Sequence, residues 1–199
     1  MRPTRSFSGL EPLGMWKLSA GVLVCLFFWG VKESRHYNLY VDNFGVVEPG
    51  VLYRSGQLRG YQLEKLIRKL DLRTVINTRE PEARVEAERL VCAKLGVRMV
   101  RLPMPGDGCG TYAQYEEALA LLRDTNNLPA LVHCARGTHR TGAVVAAYRV
   151  HVQGREIGQT FAEMQRYKFN PKDHPLVDHL APYLEGRAGS PGSLPHKSP

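Results

Sequence analysis

A stretch in the second half of the chain carries the residue types of a nucleophile that handles anions. Residues 133–142 read HCARGTHRTG; they complete the apolar run ALVH and open the apolar sequence TGAVVAAYRV. A loop between a strand end and a helix start points its backbone N–H groups inward and gathers the positive end of the helix dipole. The same field stabilises a thiolate, so Cys134 is predicted to have a lowered pKa and to act as the nucleophile.

Residues after the cysteine extend this constellation. Arg140 lies six positions after Cys134, where the loop can curl back and the planar guanidinium can bind two oxygens of a phosphoryl group. Thr141 can donate its hydroxyl to the sulfur and help it to leave a covalent intermediate. The residues between Cys134 and Arg140 are predicted to bind the substrate: Ala135, Arg136, Gly137, Thr138 and His139. Gly137 permits the tight backbone path, while Arg136 and His139 either add positive charge at the pocket mouth or serve only through their N–H groups.

Together these residues resemble a known family. HCARGTHRTG matches the HC-x5-R-[ST]-G signature of the protein tyrosine and dual-specificity phosphatases, and YRSGQL and TVINTRE look like the opening motifs of their compact atypical dual-specificity branch. The resemblance covers roughly residues 46–167. It implies a cysteinyl-phosphate intermediate, no metal or other cofactor, and an aspartate general acid on a mobile loop.

Asp107 is the best candidate for that acid. It lies in PMPGDGCG, residues 103–110, which we call the acid loop; it comes after a predicted strand and carries glycines that allow movement. The Trp-Pro-Asp form of the family's acid loop is absent from this sequence. Asp124 is the alternative, at a helix end. Cys109, two residues after Asp107, suggests a further hypothesis: if the acid loop closes over Cys134, the two sulfurs could form a reversible protective disulfide.

Strands and helices alternate along the part of the chain that must position these residues. The predicted strands are 46–47, 51–54, 74–77, 97–102 and 129–133. The predicted helices cover 63–70, 81–96, 112–123, 141–153 and 156–167. In the second helix the apolar face is predicted to comprise Ala83, Ala87, Leu90 and Val91. This alternation predicts an α/β domain with a central, mostly parallel sheet flanked by helices.

An apolar segment precedes this domain. LSAGVLVCLFFWGV, residues 18–31, contains no charge, lies between Lys17 and Lys32, and has Trp16 and Trp29 near its ends. With residues 13–17 included, it predicts an N-terminal hydrophobic helix that anchors the chain in a membrane as a single pass. A cleaved signal peptide, which would leave a secreted protein, and a buried or interfacial helix are the alternatives. The charges on the two sides do not decide on which side the domain lies.

The predicted organisation therefore has four parts. Residues 1–12 form a disordered basic N-terminus, 13–32 the anchor, 37–185 the phosphatase domain, and 186–199 a disordered tail rich in Gly, Ser and Pro. The domain is long enough for one hydrophobic core. The four cysteines have neither zinc-site nor disulfide-framework spacing.

The charge narrows the possible partners. A net charge of +8 suits anionic ligands, and because no nucleic-acid-binding motif accompanies it, nucleic acid is not a predicted partner. The predicted substrates are phosphorylated proteins, with phosphoinositides, inositol phosphates or phospholipids as the alternative. A non-catalytic phosphate-binding pseudophosphatase is the less favoured reading. The protein is expected to be a monomer.

Overall fold

The computed structural model describes residues 41–172 and 174–186. They belong to the second of two compact units, Val41–Pro199. The predicted segments 1–12 and 13–32, and the tail from residue 187 onward, lie outside the described residues. Within the described ranges, no helix is both long enough and apolar enough to cross a membrane.

A five-stranded mixed sheet forms the centre of the domain, in the order β1-β2-β5-β3-β4. The strands are β1 (Gly45–Glu48), β2 (Leu52–Ser55), β3 (Thr74–Asn77), β4 (Arg98–Arg101) and β5 (Ala130–His133). Only β1 is antiparallel to its neighbour, and the β2–β5, β5–β3 and β3–β4 pairs are parallel. The predicted α/β class and mostly parallel sheet are therefore confirmed.

Among the described residues, six α-helices surround the sheet, together with a short 3₁₀ turn at Thr125–Asn127. They are α1 (Gly60–Leu70), α2 (Ala83–Lys94), α3 (Tyr112–Arg123), α4 (His139–His151), α5 (Ile157–Arg166) and α6 (Pro175–Leu184). The helix α4 is buried at every residue from Thr141 to Arg149, since it packs against α3, α5, α6 and the sheet. The helices α1 and α2 pack against each other.

One prediction about a helix was wrong, and one helix was not predicted. The buried residues of α2 are Val85, Glu88 and Cys92, and Leu90 is 57% exposed instead of lying on the core side. The reason is that Glu88 turns inward to accept a hydrogen bond from Asn77, at 2.6 Å. The helix α6 was not predicted; Pro175 is at its start and Pro182 lies within it.

The sheet brings three strand ends to one edge. Ser55 of β2 and Asn77 of β3 are both in register with His133, the last residue of β5. Because these three strands are parallel, the chain leaves each of them on the same side of the domain. The segment that carries Cys134 therefore begins in the middle of this edge, between the segments that follow β2 and β3.

Candidate active site

Cys134 directly follows β5, and α4 begins five residues later at His139. We call residues 134–138 the phosphate loop. The helix starts two residues earlier than predicted, so His139 and Arg140 belong to its first turn. The first N–H groups of a helix have no partner within it, and they carry the positive end of its dipole. This early start places that positive end directly beside the loop.

Backbone carbonyls of the phosphate loop, and that of His133 before it, accept hydrogen bonds from residues outside the loop. Four of these bonds are Thr78 N–H to His133 O (3.0 Å), Gln57 N–H to Ala135 O (2.9 Å), Asn43 Nδ2 to Arg136 O (2.8 Å) and Arg54 Nη2 to Gly137 O (2.5 Å). With these carbonyls turned outward, the loop presents its N–H groups on the other side. The N–H groups of Ala135, Arg136 and Thr138 donate to no atom of the part of the chain that the structure describes. Such a ring of N–H groups binds anions.

Gly137 is the one position of the loop where a side chain is excluded. Its φ is +70°, and a Cβ there would lie 2.7 Å from backbone atoms of Ser55 and Gly56. Its N–H donates to the Cys134 sulfur at 3.1 Å. The glycine therefore lets the loop lie against the end of β2 while it curls over the nucleophile.

The Cys134 thiol is only 3% exposed, yet its pKa is lowered. Burial opposes ionisation, but it is outweighed by hydrogen bonds from the Thr141 hydroxyl and from the N–H groups of Thr141 and Gly137, and by the charge of Arg140. The Thr141 hydroxyl is also 3.5 Å from the Ser55 carbonyl, a distance too long for a strong O–H···O bond. That hydroxyl is therefore free to serve the sulfur.

Arg140 lies at the opening of the loop and is half-buried. One guanidinium nitrogen, Nη1, contacts the Met104 carbonyl at 3.4 Å, which is a weak interaction. Arg136 is exposed, and Ala135 is half-buried. The Arg140 side chain is thus close to the sulfur and weakly held, as a residue that clamps an incoming anion must be.

Arg54 lies behind the phosphate loop and was not singled out by the sequence analysis. It is fully buried, and its guanidinium carbon lies 3.6 Å from the centre of the Tyr167 ring. Burial lowers the pKa of Arg54 to about 10, although Tyr167, Glu163 and Cys134 act in the opposite direction. Arg54 makes no ion pair with a described residue and supports the phosphate loop from behind, through its bond to the Gly137 carbonyl. Arg79, which follows β3, forms an ion pair with Glu82 at 2.5 Å.

A polar cluster fixes His133, the residue before the nucleophile. His133 and Glu88 are both buried, and His133 Nε2 lies 3.2 Å from a Glu88 carboxylate oxygen, without the alignment of a hydrogen bond. Glu88 also accepts hydrogen bonds from Asn77 and Gln57. Two members of this cluster, Asn77 and Gln57, belong to the motifs TVINTRE and YRSGQL. The burial of Glu88 could not be predicted from helical periodicity.

Asp107 is exposed in the acid loop, and its Oδ1 accepts the N–H of Cys109 at 2.9 Å. The loop lies over the start of α4, since a Cβ on Gly108 would be 3.0 Å from the backbone of His139 and 3.2 Å from that of Arg140. Asp107 is therefore on a segment beside the phosphate loop, as predicted. Its role as the general acid stays a prediction.

The C-terminal half of the acid loop is tied down. The Tyr115 hydroxyl donates to the Gly108 carbonyl at 2.6 Å and accepts from the Gly110 N–H at 3.1 Å. His179 of the unpredicted helix α6 lies 2.7 Å from the Gly110 carbonyl. These contacts hold the part of the loop that follows Asp107.

The His139 ring lies beside two other aromatic rings at the start of α4. It is half-buried, 4.5 Å from the ring of His174 and 5.8 Å from that of Phe169. Burial and the nearby His174 lower the pKa of His139, although Asp107 acts in the opposite direction. At neutral pH this ring adds less positive charge at the pocket mouth than the sequence suggested.

Cys109, Cys92 and Cys134 are free thiols. Burial and Asp107 raise the pKa of Cys109 to about 11, which makes it a poor attacking group. The disulfide between Cys109 and Cys134 stays a hypothesis. Among the residues with described positions, no three His, Cys, Asp or Glu side chains lie close enough together to hold a metal ion.

Comparison with known proteins agrees with this geometry. The sequence profile described as the tyrosine phosphatase family matches residues 38–181. The dual specificity protein phosphatase TpbA of Pseudomonas aeruginosa is 32% identical over 126 residues, which cover 61% of this chain and 53% of that protein. The inositol diphosphatase DSP3 of Arabidopsis thaliana is 33% identical over 134 residues, covering 63% of this chain and 62% of that one. The chain thus spans between half and two thirds of these relatives.

Solved structures show the same likeness. The catalytic domain of the PP-IP phosphatase SIW14 from S. cerevisiae, in complex with citrate, superimposes with a TM-score of 0.61 at 25% identity, over 73% of this chain and 90% of that one. TpbA from P. aeruginosa gives a TM-score of 0.58 at 28% identity, over 73% and 84%. Similarity at this level covers the domain that holds the sheet and both loops.

Proposed function

The chain belongs to the tyrosine phosphatase family, and we propose that it hydrolyses phosphate monoesters through a phosphocysteine intermediate on Cys134. One observation carries this proposal: a thiol with a lowered pKa follows β5 at the start of a loop whose N–H groups at Ala135, Arg136 and Thr138 have no partner among the described residues. A structural cysteine at a strand-to-helix turn would not need the surrounding carbonyls to be turned outward. The same observation argues against a binding module without activity, since such a module has no use for a thiolate.

In the first step, the Cys134 thiolate attacks phosphorus in line, forms the S–P bond and breaks the bond to the leaving oxygen. Asp107 gives that oxygen its proton. The N–H groups of the phosphate loop and the Arg140 guanidinium stabilise the three equatorial oxygens of the transition state. We assign these roles from the sequence motif and from the positions of the groups around the sulfur.

In the second step, water attacks the phosphocysteine. Asp107, now ionised, takes a proton from the water, and the S–P bond breaks. The Thr141 hydroxyl stabilises the thiolate as it leaves, which is why a hydroxyl beside the sulfur supports a hydrolase rather than a stable phosphoprotein. Phosphate then leaves the ring of N–H groups.

Two substrate classes follow from this site. Phosphorylated protein side chains are the first, since TpbA is a dual specificity protein phosphatase. Inositol phosphates or phosphoinositides are the second, and the exposed Arg136 beside Arg140 favours them because it adds a cation for a second phosphate group. The relatives named as inositol diphosphatase and PP-IP phosphatase support this class.

Hydrolysis of a generic aryl phosphate by the reduced full-length chain tests the activity. Cys134→Ser is expected to abolish turnover, by roughly 10⁴-fold or more, and to retain phosphate binding. Cys92→Ala, which removes another buried thiol, is the matched control and should keep its activity. Equal rates for the wild type and Cys134→Ser, or no turnover by folded wild type between about pH 5 and 7, would refute the proposal.

A substrate panel then separates the two classes. Phosphopeptides, inositol polyphosphates, phosphoinositides and phosphatidylglycerol phosphate are compared with the wild type and with Arg136→Gln. If inositol phosphates are the substrates, Arg136→Gln should raise KM for them and leave that for phosphopeptides nearly unchanged. The opposite pattern would favour the protein phosphatase.

We also propose, from the sequence, that residues 13–32 tether this monomeric domain to a membrane. The support is the uncharged stretch 18–31 between lysines. Carbonate extraction of membranes from expressing cells tests the tether, and secretion of a shortened chain would favour a cleaved signal instead. Light scattering of the detergent-solubilised protein tests the oligomeric state.

A further inference from the structure

A second basic cavity lies on another part of the domain, between β1, the end of α4 and α5. Its volume is about 500 Å³, and its lining consists of Val46, Arg149, Arg155, Glu163, Arg166 and Tyr167. None of these residues belongs to the phosphate loop or the acid loop. Three arginines face a single carboxylate there, so the cavity has an excess of positive charge.

The ion pairs within the cavity leave two of the arginines available. Arg149 is fully engaged: Nε and Nη2 each donate to the Glu163 carboxylate at 2.8 Å, and Nη1 donates to Gln153 at 2.7 Å. Arg155 reaches Glu163 only at 3.7 Å, and its side chain is 46% exposed. Arg166 is exposed and makes no ion pair or side-chain hydrogen bond with any residue whose position is described.

A buried charge behind the cavity adds to this excess. One wall is Tyr167, and the Arg54 guanidinium stacks on its ring. Arg54 is fully buried, and its Nε and Nη1 have no hydrogen-bond partner among the described residues. The positive field of Arg54 therefore reaches the cavity through a single aromatic ring.

We propose that this cavity is a second, non-catalytic site for a phosphate-bearing anion. Its ligand is held by the guanidinium forks of Arg155 and Arg166, since the planar fork matches two phosphate oxygens. The Arg149–Glu163 pair forms the fixed wall against which it lies. A cavity of this volume is within the range of small-ligand sites. Its excess of positive charge favours a ligand with more than one phosphate group. This site goes beyond the proposed catalysis, and its existence does not depend on it.

The test is calorimetric titration of inorganic pyrophosphate into the full-length chain carrying Arg140→Ala, which weakens the anion site at Cys134. We expect one pyrophosphate to bind still. Adding Arg155→Gln and Arg166→Gln should weaken that binding by roughly tenfold or more, because two charge-assisted contacts are lost. The matched control adds Arg89→Gln and Arg123→Gln, which remove the same charge from exposed positions on α2 and α3, and should bind as tightly as Arg140→Ala alone.

Two results would overturn the proposal. One is loss of all pyrophosphate binding with Arg140→Ala alone, since the only site would then be the phosphate loop. The other is an equal loss of pyrophosphate affinity with Arg155→Gln plus Arg166→Gln and with Arg89→Gln plus Arg123→Gln. The effect would then come from the net charge of the protein alone. If the double variant does not fold, Arg166→Gln alone replaces it. Arg166 has no described partner that this change would leave unpaired, and Arg166→Gln should still weaken binding more than Arg89→Gln alone.

Vesicles identify the source of the ligand. Binding to phosphatidylcholine vesicles that contain phosphatidylinositol bisphosphate is compared with binding to plain phosphatidylcholine vesicles, since the apolar N-terminal stretch can bind to both. If more protein binds to the vesicles with phosphatidylinositol bisphosphate, and Arg155→Gln with Arg166→Gln removes this difference, the ligand is a lipid headgroup. Calorimetric binding without that difference assigns a free phosphate compound.

Discussion

The phosphate loop and the acid loop lie side by side but are held in different ways. The phosphate loop is fixed through its backbone, with carbonyl partners from the segment before β1, from β2 and from the segments after β2 and β3. The acid loop is held at its two ends, by Thr78 and Gln114 before Asp107 and by Tyr115 and His179 after it. The anion site is therefore built into the fold through its own backbone, whereas delivery of the proton depends on residues 105–107, which are exposed between two held ends.

Gly137→Ala changes the phosphate loop, which the fold holds most firmly. A Cβ at φ +70° and 2.7 Å from backbone atoms should destabilise the protein by roughly 2–4 kcal/mol. It should also lower kcat/KM by roughly 10³-fold, because the N–H groups are displaced. Gly154→Ala is the control: its φ is +65°, with no atom within 4 Å, so it should lose some stability in urea unfolding but no activity. A Gly137→Ala enzyme as active as Gly154→Ala would show that the loop is not rigid.

The thiols of the two loops should differ in alkylation. The pKa of Cys134 is lowered, whereas that of Cys109 is raised to about 11, so at neutral pH Cys134 should react with iodoacetamide roughly a hundredfold faster or more. The rate at Cys134 should rise with pH and level off below the ordinary thiol pKa, while that at Cys109 should still be rising at pH 9. Mass spectrometry of each cysteine peptide measures both, and similar pH profiles would contradict the electrostatics described above.

Asp107→Asn tests the acid loop itself. If Asp107 protonates the leaving group, kcat should fall by roughly 10²-fold for an alkyl phosphate and by less for nitrophenyl phosphate, whose leaving oxygen needs no proton. Asp124→Asn is the control, since Asp124 accepts the N–H of Asn126 at the 3₁₀ turn and has no part in the proposed chemistry. Equal losses with both phosphates would mean that Asp107 only shapes the loop.

Asn43→Gly should give the smallest effect, because it removes one of several supports of the phosphate loop. Asn43 holds the Arg136 carbonyl at 2.8 Å and Thr138 at 3.1 Å from a backbone φ of 51°, which glycine accepts without strain. We expect kcat/KM to fall by roughly fivefold, which corresponds to about 1 kcal/mol for the two hydrogen bonds that are lost. Asp71→Gly changes a residue with φ 49° at the end of α1 and should leave kcat/KM unchanged; equal rates for both variants would show that this support is redundant.

Much of this organisation was predictable, for identifiable reasons. The bounds of α3 were predicted correctly, and Thr111 and Gln114 form a capping box at its start. Cys134 and Arg140 could be proposed from the sequence because their expected roles depend on spacing within one short segment. The start of α4 was placed two residues late because the polar residues 139 and 140 lack the apolar periodicity that marks a buried helix.

Other features depend on contacts that no local pattern reveals. Glu88 is buried because Asn77 and Gln57, from two other segments, surround it. The support of the acid loop by His179 depends on α6, which its prolines concealed. Arg54 follows a common strand pattern, and only the fold shows that its partner is a loop carbonyl rather than a carboxylate.

Arg54 also links ligand binding to thermal stability. A guanidinium that folding removes from water, with two nitrogens lacking any described partner, costs stability that the nearby charges of Glu163 and Cys134 offset only in part, and a further negative charge offsets more of it. An oxyanion in the phosphate loop supplies that charge in the folded protein alone, so by mass action a concentration a hundredfold above its Kd should stabilise the fold by about 2.7 kcal/mol. The melting temperature should therefore rise with phosphate or vanadate, and the domain can be screened for ligands by its melting alone, even with Cys134 replaced by serine.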